Sequence, residues 1–158
     1  MRRAIKSQAP EGFIALDNSA LIYPPTEAAY NTNTFRISVD LNREVQVEIL
    51  REAAHELLER CPYAKVRLKK GFFWYYLSPN EEEIPIWEEG SYPAGRFEFK
   101  RNQHYLIKII AGERRIAIEC FHALTDGTGA LSYLKLLLER YCSLAGIVDA
   151  VFTDGLCF

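Results

Sequence analysis

Residues 105–134 read YLIKIIAGERRIAIECFHALTDGTGALSYL, and the fold is decided within this stretch. Tyr105 to Ile110 and Arg115 to Cys120 are two strand-like runs on either side of Ala111-Gly112-Glu113-Arg114, a short turn, so a β-hairpin is predicted. Period-two parity in the second arm puts Ile116, Ile118, Cys120 and His122 on one apolar side, with Glu119 and Phe121 on the other. After Gly127-Thr128-Gly129 the period changes. Ala130, Leu131, Leu134, Leu137, Leu138 and Tyr141 share a helical face, and that helix should end near Gly146. His122 therefore stands where strand gives way to helix, four residues ahead of Asp126-Gly127. A neutral imidazole titrates near working pH and can take and return a proton. A carboxylate in a tight turn bonds backbone N–H groups or a basic side chain and fixes the loop. The residues alone favour the plainer reading, a satisfied core histidine beside an ordinary turn and helix-capping aspartate.

Working outward toward the amino terminus, Thr34 to Leu41 alternates strictly, with Phe35, Ile37, Val39 and Leu41 on one side, as a half-buried strand does. Asn42 offers an N-cap. From Arg43 to Arg60 the apolar positions Val45, Ile49, Leu50, Ala53, Ala54, Leu57 and Leu58 form one helical stripe, closed by Cys61-Pro62. Lys65 to Leu77 is rich in β-branched and aromatic residues and predicts two strand segments around Lys70-Gly71, the second over Phe72 to Leu77. Ser78 to Gly95, with three consecutive glutamates and three prolines, reads as a surface excursion. Residues 1–33 read as an irregular lead-in and residues 147–158 as an apolar, unpatterned tail. One lobe over 1–158 follows, an α/β two-layer sandwich in which helices cover a mixed β-sheet.

Composition narrows the function. With 158 residues, a hydrophobic share of 49% and a charged share of 25%, the chain resembles ordinary globular domains and has a core to fill. Nineteen basic against 21 acidic residues give a formal charge of -2, with no broad positive field for nucleic acid. No stretch approaches the ~20 apolar residues of a membrane span. Cys61, Cys120, Cys142 and Cys157 lack the spacing of zinc sites or secreted scaffolds and read as reduced thiols of a cytoplasmic protein. The remaining histidines suggest no metal site. His55 falls on the polar side of the first helix and His104 in a loop. The aromatic run Phe72 to Tyr76 reads as core and inter-lobe packing.

FHALTDG followed by TGA and an amphipathic helix resembles the HHxxxDG signature of the superfamily that contains chloramphenicol acetyltransferase, peptide-synthetase condensation domains and alcohol acyltransferases. The blocks LDNSALIYPP, FRISVDL, ERCPYAKVRLKKGFFWYYL, YP and RRIAIECFHALTDGTGALSYLKLL, in this order, are similar to the amino-terminal lobe of bacterial alcohol acetyltransferases. The resemblance implies a chloramphenicol acetyltransferase-like lobe with His122 as general base and Asp126 and Gly127 as the structural turn. It also implies a basic partner for Asp126 on a neighbouring strand, assigned to Arg67 with Lys65 and Arg36 as alternatives. Phe121 stands where the signature has its first histidine; relatives with HxxxD work with one.

By the same resemblance the co-substrate is acyl-coenzyme A, such as acetyl-coenzyme A, with no tightly bound cofactor, and the acceptor is a small alcohol. Members of the family run to about twice this length or more, so the chain reads as one lobe of a longer protein, inactive alone. Its site would be completed by a second lobe or by self-association. The rival reading is a non-catalytic binding or docking module that keeps the fold.

Overall fold

The computed structural model describes residues 14–16, 23, 32–72, 75–90, 93–95 and 97–147. The elements run β1 (Ile14–Ala15), β2 (Thr34–Asp40), α1 (Val47–Arg60), β3 (Val66–Lys70), β4 (Tyr75–Pro79), β5 (Ile86–Glu88), β6 (Ile107–Ala111), β7 (Arg115–Phe121) and α2 (Gly127–Leu144). The hairpin read from the sequence is β6–β7, with Ile109 opposite Ile118 and the turn closed by Gly112 N–H donating to the Arg115 carbonyl at 2.8 Å. β2 adds antiparallel on the other side of β7, with Phe35 opposite Cys120 and Ile37 opposite Ile118. β5 runs parallel to β6, which makes a mixed sheet of order β2-β7-β6-β5. A smaller sheet has the order β1-β4-β3.

Burial explains why β7 is central. All of its residues after Arg115 are buried on both faces. The two helices pack on each other and on the larger sheet, α2 against β2 and β7 and α1 against β5 and β6. Leu50, Ile107, Ile109, Ile116, Ile118 and Leu137 are fully buried between these layers, each stabilising the fold by about 1.5–3 kcal/mol relative to exposure. This is the mixed-sheet sandwich expected from the order of elements.

Several boundaries differ from the sequence reading. α1 starts at Val47 instead of Arg43, and Asn42 is not its cap. Leu41 N–H donates to the Arg114 carbonyl at 2.7 Å and Val45 N–H to the Glu113 carbonyl at 2.8 Å. The chain thus stays against the β6–β7 turn until Gln46, whose N–H donates to the Tyr141 hydroxyl at 2.9 Å. The second arm of the first hairpin begins at Tyr75 and runs through Pro79; Phe73 and Trp74 lie outside the described residues.

The excursion Ser78 to Gly95 is less irregular than its composition suggested, because it contains β5. It is tied down by two fully buried amides. Asn102 donates to the carbonyls of Tyr105 and Ile107 at 3.0 and 2.9 Å and accepts from Trp87 Nε1 at 2.7 Å. Asn80 donates to the Gln103 carbonyl at 2.8 Å. Ile14–Ala15 pairs with β4, so part of the supposed lead-in is strand. Of the tail, only Ile147 is described. α2 ends as the sequence suggested, with Gly146 at φ +65° just beyond the cap Ala145.

Candidate functional site

β7 delivers His122 to the edge of the sheet. Phe121 N–H still bonds the Leu106 carbonyl at 2.9 Å; the next amide, His122 N–H, bonds the carbonyl of Asn33 at 2.9 Å, just ahead of β2. Leu124 N–H then donates to the Phe121 carbonyl at 2.8 Å and turns the chain toward α2. The half-buried imidazole lies against two aromatic rings. Phe35 is tilted, with centroids 4.5 Å apart, and Tyr23 is stacked at 5.1 Å with 21° between planes. Among the described residues, no hydrogen bond is made to either ring nitrogen. Among the described residues, packing against these two rings is thus what holds the imidazole.

Asp126 is the N-cap of α2. Its Oδ1 accepts from Gly129 N–H at 2.8 Å, and its carbonyl accepts from Ala130 N–H at 3.0 Å, which satisfies a donor the first helical turn would otherwise leave open. No ion pair joins Asp126 to Arg67, Lys65 or Arg36 among the described residues. Lys65 pairs with Glu59 at 2.7 Å and Glu81 at 3.4 Å, and Arg36 with Glu119 at 2.8 Å. Arg67 lies on β3, and its Nε is buried without a partner. The structure thus brings His122, Asp126 and Gly127 together in one turn and does not add Arg67 to it.

The two glycines of the turn differ. A Cβ on Gly129 would fall 1.9 Å from Thr125 Oγ1, so the turn closes only because that position is bare. A Cβ on Gly127 would meet nothing within 4 Å, so the first turn of α2 is open at that position.

Two further groups near the site are unreactive. Burial, with a smaller push from Glu119, raises the Cys120 thiol to about 12, which excludes it as a thiolate nucleophile at neutral pH. Burial raises the Tyr133 hydroxyl to about 12 as well, helped by Cys61, Cys120 and Tyr63. His55 and His104 are exposed. Among the described residues no cluster of His, Cys, Asp or Glu is arranged to hold a metal ion, and no helix is long and apolar enough to cross a membrane.

On the opposite face of the same strands runs a row of charges that the sequence reading did not join up. Arg36, Glu119 and Lys108 are direct cross-strand partners over β2, β7 and β6. Glu119 is buried, accepts from Arg36 Nε and Nη2 at 3.0 and 2.8 Å and from the backbone N–H of Ala94, and lies 3.5 Å from Lys108 Nζ. Lys108 sits over the rings of Trp87 at 5.0 Å and Phe97 at 4.8 Å. Part of the cue was available: Lys108 and Glu119 each interrupt an apolar strand, whereas Arg36 falls on the polar side of an alternating one.

No family model and no curated protein matches the sequence. Solved structures match the fold. The starter condensation domain of the rhizomide synthetase RzmA aligns with a TM-score of 0.61 at 8% identity, over 90% of this chain and 42% of that one. A condensation domain that mediates chain release from the enacyloxin polyketide synthase aligns with a TM-score of 0.59 at 15% identity, over 88% and 33%. Polyketide synthase associated protein 5 from Mycobacterium tuberculosis aligns with a TM-score of 0.56 at 16% identity, over 72% and 30%. The chain spans well under half the length of these proteins. What it shares with them is the fold, a mixed α/β lobe.

Proposed function

We propose that this chain is one lobe of an acyltransferase that uses an acyl thioester, with His122 as general base. The observation that carries the proposal is the placement of His122. Its imidazole emerges at the end of the central strand against two aromatic rings, with no hydrogen bond to either ring nitrogen among the described residues. In this reading the acceptor is an alcohol and the donor acyl-coenzyme A. His122 takes the hydroxyl proton as the oxygen attacks the thioester carbonyl; the carbon–sulfur bond breaks, the sulfur regains a proton, and an ester and free coenzyme A leave. No covalent acyl-enzyme forms, consistent with the inert Cys120 thiol. Asp126 supports the site mechanically, by fixing the start of α2.

Fold neighbours support the donor class. One variant of the RzmA starter condensation domain has been solved with C8-CoA and with C8-CoA together with Leu-SNAC. The second wall of the site comes from outside this lobe, so acyl transfer belongs to the whole protein. The test is acetyl-coenzyme A turnover with simple alcohols by the whole protein and its His122→Ala variant. Loss of about 10²–10⁴-fold in the variant is expected, and wild-type turnover would sink the role of His122. Acyl-coenzyme A binding without any turnover would favour a docking module.

A further inference from the structure

His122 is held in part by a residue that the motif does not contain. Asn33 stands at φ 43°, in the left-handed region that asparagine tolerates better than most side chains. From there it makes two contacts toward the histidine. Its carbonyl accepts the His122 N–H at 2.9 Å. Its side-chain Nδ2 donates to the Tyr23 carbonyl at 3.2 Å, and the Tyr23 ring stacks on the imidazole at 5.1 Å. One residue thus sets both the backbone under the ring and the aromatic surface over it.

Its own conformation is held from both sides. Thr32 Oγ1 donates to the Ala94 carbonyl at 3.0 Å, and Thr34 Oγ1 donates back to the Thr32 carbonyl at 2.8 Å. Ala94, itself at φ 53°, donates its N–H to the buried Glu119 carboxylate. Asn33 and Ala94, two non-glycine residues at positive φ, are thus linked through Thr32, with Ala94 anchored on the Glu119 face of the sheet. Strain of this kind persists only where the surroundings over-determine it.

We infer that Asn33 is a positioning residue for His122, orienting the imidazole by holding its backbone amide and the Tyr23 ring together. The inference rests on the acyltransfer reading only for its consequence in catalysis. The orientation itself is read without substrate.

The chain has three histidines, so their ring-proton resonances are few, and His122→Ala identifies those of His122. In the wild type they carry the ring-current shift of Tyr23 and Phe35 and a cross-peak to the Tyr23 ring. Asn33→Gly keeps access to positive φ and removes the amide. Asn33→Asp keeps the shape and removes the donor. In both, the His122 signals are expected to move toward those of the exposed His55 and His104 and to lose the Tyr23 cross-peak, while His55 and His104 stay in place. Unchanged His122 signals in both variants overturn the inference, and so does a shift of all three histidines together, which marks a merely structural effect. In the whole protein, Asn33→Gly should lower kcat about tenfold with KM unchanged; a rise in KM alone contradicts positioning. If the whole protein transfers no acyl group at all, the functional reading fails while the resonance test of Asn33 still stands or falls by itself.

Discussion

Phe121 and His122, adjacent in sequence, leave the end of β7 on opposite faces of the sheet. The Phe121 ring is fully buried and meets Phe99 edge-on at 5.3 Å, whereas His122 is half-buried against Phe35 at 4.5 Å. The position of the first histidine in a two-histidine signature is here a core position. Phe121→His should therefore lower stability by about 2–4 kcal/mol, because it removes aromatic packing and buries an imidazole among Phe97 and Phe99. Urea unfolding of the variant measures this. A near-neutral result would show that the pocket accepts a second histidine.

The turn before α2 separates three substitutions by mechanism. Asp126→Ala removes the cap on Gly129 N–H and should cost about 1 kcal/mol, while Asp126→Asn costs little. Gly129→Ala forces Thr125 Oγ1 to move and should destabilise. Gly127→Ala meets nothing and should raise stability by about 0.5–1 kcal/mol through helix propensity. Thermal melts in parallel give the order, and a destabilised Gly127→Ala would contradict the open space at that position.

Glu119 holds Arg36, Lys108 and the Ala94 amide at once. Glu119→Ala leaves the buried Lys108 without its carboxylate and Arg36 with only Glu89 at 3.4 Å, and should cost about 3–5 kcal/mol. Adding Lys108→Met should recover part of that loss, since it removes one of the stranded charges. A double-mutant cycle by denaturant unfolding reads the coupling, and strict additivity would mean that the row does not act as a unit.

Alkaline stability follows from the buried thiol and phenol. Cys120 ordinarily loses its proton near 9.0 and Tyr133 near 10.0, but burial holds both up to about 12 in the fold. From about pH 9 to 12 the unfolded chain binds fewer protons than the native one, so stability falls as pH rises; below about pH 8 these two groups add no slope. Unfolding midpoints at pH 7, 9 and 10 should show the decline. Cys120→Ala should flatten its first part, and an unchanged slope in that variant would remove Cys120 from the account.

What could be read ahead of the structure was local. The alternation of β2 and the β6–β7 hairpin, the stripe of α2 and the position of His122 depend on side-chain period and turn residues within a few positions. What could not be read depended on partners far along the chain. Nothing near Asn42 reveals that the Arg114 and Glu113 carbonyls will claim the amides of Leu41 and Val45. Nothing near Ile86 reveals that it will lie parallel to Ile109. Asp126 was legible as a turn residue, and its partner was not: the basic side chains assigned to it are Arg36 and Lys65, bound to other carboxylates, and Arg67, which makes no ion pair with it. Asn33 escaped notice because its importance comes from a backbone angle and from Tyr23, neither of which sequence period encodes.

The hydroxyl of Tyr141 on the amide of Gln46 has a kinetic meaning. The entrance of α1 carries no side-chain cap of its own, and the group that receives its chain comes from the far end of the last helix. The start of α1 is therefore expected to gain its last partner only when α2 docks, and amide exchange at Gln46 should slow only once α2 is in place.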